Sequence, residues 1–138
     1  MTMSAGKYYV GDLCYVFNII DWETICDTTI VGNKVTEGEF ETIINGKSVR
    51  FACYNTVYGD GTYKDEDGNK YSVDSGTIGC IRVDDIPNYY HHEDIFGNIV
   101  TFDEDFPTGS DFGVIWFDHI VIDTDPVYDI DDEALRDE

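Results

Sequence analysis

Cys14 paired with His91, His92 or His119 would make a thiol nucleophile and its base. The glycine-rich 59–61 loop could then supply the amide donors of an oxyanion hole. Charge opposes this reading. Lys+Arg 8 against Asp+Glu 29 gives a net charge of −21, a field that favours imidazolium over thiolate. Cys14 is therefore expected to fill a strand, with the histidines in loops, and the chain is read as a non-enzymatic protein. Asp60, Asp65, Asp67 and Asp74 are candidate calcium ligands, but the run Asp65-Glu66-Asp67-Gly68-Asn69 lacks the alternating acids and distal Glu of an EF-hand loop. A hairpin turn with solvated acids is expected there. No CxxC or HxxxH pair occurs, so no zinc site is expected, and no cofactor is implied.

The acids have a second possible use, which is recognition. Glu37, Glu39 and Glu41 alternate, so on a strand they share one side at roughly 7 Å spacing. Such a row resembles a track of phosphates; alternatively it is a solvated face that protects a sheet edge. Asp103, Glu104 and Asp105 form a second cluster, and the C-terminal tail a third. Spread over the ~7,000 Å² of a folded chain this size, the net charge amounts to one per roughly 350 Å². DNA carries about one per 100 Å². Mimicry of nucleic acid therefore requires the acids to gather on one face. The balance repels nucleic acid and anionic membrane and points to a basic protein surface as partner. Tyr89, Tyr90, His91 and His92 follow Pro87, and adjacent residues cannot all point inward, so this loop is expected to supply anchoring contacts.

These groups need a fold to position them. The chain is 42% hydrophobic and 14% aromatic, enough for a buried core. Its acids are mostly Asp, 20 against 9 Glu, and Asp suits turns better than helix interiors. A bent strand or strand pair is expected over 8–17, broken at Gly11-Asp12. A short helix is expected over 22–27, capped by Asp21. Strands 39–44 and 48–54 flank Asn45-Gly46, a strong hairpin signal. A second hairpin turns at Asp67-Gly68. Strand 77–83 carries Gly79, a sign of close backbone packing. Residues 98–106 alternate, and 114–117 and 120–122 form a last hairpin at Asp118-His119. The expected fold is mainly β, a single-domain antiparallel barrel or sandwich over 1–124, with one short helix and an acidic tail over 125–138. No apolar run of membrane length occurs, and no secretory leader is expected. Cytoplasmic location is expected, with Cys14, Cys26, Cys53 and Cys80 as reduced thiols; two disulfides are the alternative.

Tyr9-Val10-Gly11-Asp12-Leu13-Cys14-Tyr15-Val16 resembles the G-D-P-C-Y-V signature of a group of small bacterial and phage proteins. Tyr58-Gly59-Asp60-Gly61-Thr62-Tyr63 and Val73-Asp74-Ser75-Gly76 resemble further segments of the same group, and the three together span residues 8–80. Leu13 stands where the signature carries Pro. The resemblance implies a compact β-rich domain of phage or bacterial source and carries no activity with it. The resulting expectation is a phage-encoded acidic protein that blocks a basic nucleic-acid-binding surface of a host defence protein. A virion assembly protein, or a small-ligand binder or hydrolase built on the glycine-rich loop, is the alternative.

Overall fold

The computed structural model describes residues 2–87 and 97–125. Twelve strands and one α-helix are formed by these residues. A five-stranded antiparallel sheet is the central layer, in the order β4-β5-β8-β1-β9. Its strands are β1 (Gly6–Gly11), β4 (Gly38–Ile44), β5 (Lys47–Asn55), β8 (Thr77–Arg82) and β9 (Asn98–Phe102). Strand alternation gives it two buried faces.

One face carries Tyr8, Val10, Ala52, Tyr54, Ile78, Cys80 and Phe102. It is covered by the meander β10 (Thr108–Asp111), β11 (Val114–Phe117), β12 (Ile120–Asp123) and by the hairpin β6 (Gly61–Lys64), β7 (Lys70–Val73). The other face carries Tyr9, Val49, Phe51, Cys53 and Ile81. Against it pack α1 (Ile19–Thr28) through Ile25 and Trp22, and the 3-10 turn Leu13–Tyr15 through Leu13. A small hairpin, β2 (Ile30–Val31) with β3 (Lys34–Val35), extends beyond α1. The sheets stay open, so of the two expected architectures the chain adopts the sandwich-like one.

The turns follow local chemistry. Asn45 and Gly46 both take positive φ, 52° and 81°, as a two-residue hairpin requires. Asp118 does the same at φ 57° between β11 and β12. Gly79 stands where a Cβ would lie 2.2 Å from the Ala52 carbonyl oxygen, so β5 and β8 can pair there only around glycine.

Three expectations are corrected. The segment after Gly11 is not strand, because Asp12 accepts the Cys14 amide and turns the chain into the 3-10 segment. The helix begins earlier and is longer than expected: Asn18, not Asp21, caps it, taking the Asp21 amide at 2.8 Å. Residues 103–106 do not continue β9, and β10 joins the meander as an unforeseen strand. The expected tail over 125–138, beyond Asp125, and the 89–92 loop lie outside the described residues.

Candidate functional site

Two of the three segments that carry the sequence resemblance meet around one carboxylate, and the third is tied to them through Thr56. Asp12 is fully buried. Its Oδ1 accepts the Cys14 amide at 2.9 Å and the Ser75 hydroxyl at 2.8 Å. Its Oδ2 accepts the amides of Asp74 and Ser75, both at 2.7 Å. A buried ion needs such partners, and four donors replace its lost water. Next to this knot the Thr56 hydroxyl bridges Gly59 and Gly76, and the Tyr63 hydroxyl donates to the Gly59 carbonyl. The glycine-rich loop is thus held by internal bonds that set the shape of the β7–β8 turn.

Cys14 is half-buried beside this knot. Burial, then the negative charge of Asp12 and of Asp74, pushes its thiol well above the usual range. That is the opposite of what a nucleophile needs. All four cysteines stand as free thiols, and burial raises the other three as well.

The candidate calcium ligand Asp65 is spent on its own hairpin. Its Oδ1 accepts the amides of Asp67 and Asn69, and its Oδ2 accepts the Tyr71 hydroxyl at 2.7 Å and the Asn69 side-chain amide. Among the described residues no three His, Cys, Asp or Glu side chains are grouped so as to hold a metal ion.

Glu39 and Glu41 lie on one side of β4, the side that faces the meander, and Glu37 just precedes the strand. The members of this glutamate row have unequal fates. Glu37 accepts the Asn55 amide at 2.9 Å and the Ser110 hydroxyl at 3.3 Å. Glu39 is covered, with a side chain only 7% exposed. Its Oε2 accepts the Thr108 hydroxyl at 2.7 Å, while Oε1 has no hydrogen-bond donor and lies 3.7 Å from Arg50 Nη2. Glu41 is exposed and takes the Ser48 hydroxyl at 2.5 Å. Glu37 and Glu39 therefore fasten the central sheet to β10, and only the ends of the row reach solvent.

The second cluster is arranged differently. Asp103, Glu104 and Asp105 are exposed and line a hollow of about 340 Å³ together with Phe102, Asp118 and His119. Asp105 is steadied by the Ala5 amide at 2.9 Å, and Asp118 lies 3.2 Å from His119 Nδ1. Asp118 was not foreseen as part of this group. It belongs to the β11–β12 turn, and only the packing of the meander against the end of β9 brings it there. Its one signal in the sequence was that turn, which shows where the residue is exposed but not what it faces.

Two further hollows lie beside α1. One, of about 380 Å³, is lined by Tyr15, Phe17, Trp22 and Asp74 among others; the other, of about 190 Å³, is largely apolar and includes Cys26 and Cys53. No Lys or Arg lines any of these three hollows. Arg50 instead reaches the Thr2 carbonyl and Arg82 reaches Ser4, so neither offers a cation for an anionic nucleotide. Among the described residues no helix is long and apolar enough to cross a membrane. No family model, curated protein or solved structure matches this chain.

Proposed function

We propose that this chain is a non-enzymatic acidic binding protein that covers a basic protein surface of the kind nucleic acid otherwise occupies. The observation that carries the reading is the hollow in which Asp103, Glu104, Asp105 and Asp118 stand around one space with His119 but no Lys or Arg among them. A Lys or Arg side chain entering it would meet several carboxylates at once, and Arg would be favoured for its planar set of donors. The net charge of −21 would draw such a partner in from a distance. The raised Cys14 thiol tells against a thiolate nucleophile at that position. The resemblance to small bacterial and phage proteins suggests a phage source and a host nucleic-acid-binding protein, with the host cytoplasm as the place of encounter.

The test is displacement of labelled DNA from a basic DNA-binding domain across a salt series. The chain is expected to displace DNA at low salt, and to lose about tenfold in potency as screening shortens the reach of its charges. The variant Asp103→Lys/Asp118→Lys should lose displacement while keeping its fold. Displacement that ignores salt, or survives that reversal of charge, rejects the reading.

A further inference from the structure

The hollow beside the start of α1 has a chemistry of its own. Its walls are aromatic: Tyr15 ends the 3-10 turn, Phe17 follows it, and Trp22 lies in the first turns of α1. All three side chains are only partly buried and line the same space. Asp74 and Ser75 line the hollow from the β7–β8 turn, and Cys14 and Ile19 complete its lining. The volume is about 380 Å³, and no basic residue lines it.

The two sides come from segments about sixty residues apart, and one carboxylate holds them together. Asp12 binds the Cys14 amide of the aromatic wall and the Asp74 and Ser75 amides of the opposite wall. The Asp74 carboxylate takes no part in that clamp; its backbone amide does. It stays exposed at the hollow. Beyond burial, which raises the Tyr15 hydroxyl most, the Asp74, Asp12 and Asp60 carboxylates add to the rise, so the charges around the hollow are negative. An anion at the start of α1 is disfavoured as well, because the Asn18 side chain already takes the Asp21 amide and Asp21 adds its own charge there.

We propose that this hollow is a binding site for a small alkylammonium cation of the choline type, seated among Tyr15, Phe17 and Trp22 with Asp74 as counter-charge. Aromatic faces attract cations through the ring quadrupole, and an alkylated ammonium sheds its water more readily than a bare one. The carboxylate supplies what the rings lack, a full opposite charge at the rim. The adjoining apolar hollow, which shares Trp22 and Ser75, leaves room for a hydrocarbon arm. This site has no lining residue in common with the Asp103 hollow, so it does not depend on the function proposed above.

The test is titration of the ¹⁵N-labelled full chain with tetramethylammonium or choline, following the Trp22 indole N–H. The neutral isostere 3,3-dimethylbutan-1-ol and inorganic phosphate serve as competing probes. Saturable shifts at Trp22 with both cations, and none with the alcohol or phosphate, are expected. Asp74→Asn and Phe17→Leu should each weaken binding about tenfold, the equivalent of about 1.4 kcal/mol. Asp74→Asn leaves the backbone amide used by Asp12 in place, so its spectrum should otherwise match the parent. No saturable shift with either cation, an equal response to the alcohol, a response to phosphate alone, or full affinity in Asp74→Asn would overturn the assignment. The readout is local to Trp22 and is blind to events at the Asp103 hollow.

Discussion

Ser75 holds both oxygens of Asp12, its amide 2.7 Å from Oδ2 and its hydroxyl 2.8 Å from Oδ1. With the Cys14 and Asp74 amides, this makes four donors aimed at one fully buried carboxylate. In Asp12→Asn one oxygen becomes an NH₂ group, and at least one of the backbone amides then faces another donor. The expected loss is about 3 kcal/mol of stability. Ser75→Ala removes one hydroxyl and should cost about half as much. Urea unfolding of the two variants checks the order; equal losses would show that the carboxylate is not the hub.

Thr108 stands in the middle of a relay. Its hydroxyl donates to Glu39 Oε2 at 2.7 Å, so the Tyr54 hydroxyl, 2.6 Å away, must donate to Thr108. Thr108→Val strands a covered carboxylate and should cost about 2 kcal/mol. Tyr54→Phe removes only the end of the relay and should cost under about 1 kcal/mol. Chemical denaturation of both variants decides, and a Tyr54→Phe loss larger than that of Thr108→Val would contradict the direction of the relay.

Two glycines should respond to alanine for different reasons. At Gly79 the added carbon would press into the Ala52 carbonyl at 2.2 Å, forcing β5 and β8 apart. At Gly46 nothing lies within 4 Å, and the strain comes only from φ +81°. Gly79→Ala is expected to cost about 3 kcal/mol, and Gly46→Ala about 1 kcal/mol. Thermal or urea unfolding would reveal the difference, and a harmless Gly79→Ala would refute the close approach of the two strands.

Alkali should unfold this protein earlier than its charge alone suggests. Burial pushes the Cys53 thiol up to about 12 from its ordinary 9.0, with Asp12 and other acids adding to the rise against a hydrogen bond from Thr77. Burial raises the Cys80 thiol further. The unfolded chain releases these protons near pH 9 while the folded chain keeps them. Their stabilising share is therefore complete below about pH 9 and is lost as pH climbs towards the folded values. The slope should approach about 1.4 kcal/mol per pH unit for each thiol. Urea midpoints between pH 7.5 and 11 measure it, and Cys53→Ala should flatten the curve. A curve equally steep in that variant would remove Cys53 from the account.

Acid acts on a different group with the opposite sign. Burial alone would raise the Asp65 carboxyl, but hydrogen bonds from Tyr71, Asn69 and Asp67 outweigh it and hold the group below its ordinary 3.8. Its contribution is present above that value and disappears as pH falls through the lower folded one. Tyr71→Phe should therefore reduce the change in stability between pH 5 and pH 2, read by the same denaturation series. An unchanged acid limb would show that the Tyr71 bond does not act on Asp65.

The sequence by itself determined what is local. Asn45-Gly46 makes a hairpin because both residues tolerate positive φ, and Asp67-Gly68 and Asp118-His119 likewise mark the turns they form. Alternation placed Phe40 and Ile44 on one face of β4, and Val49, Phe51 and Cys53 on one face of β5, and both sets enter the same core. The mainly β class followed from those signals. The segment after Gly11 was misread because an Asp side chain that captures an amide two residues on competes with strand pairing, and alternation does not record that contest.

Tertiary structure alone decided which polar groups are sealed and which are free. Glu39 and Glu41 have the same spacing and the same side of β4, yet one is covered by β10 and the other is exposed. Asp12 and Asp60 both sit in Gly-Asp turns, yet only Asp12 finds donors 62 and 63 residues away. Strand period says which way a side chain points. What lies opposite it depends on which layers stack, and that is settled by burial summed over the whole chain.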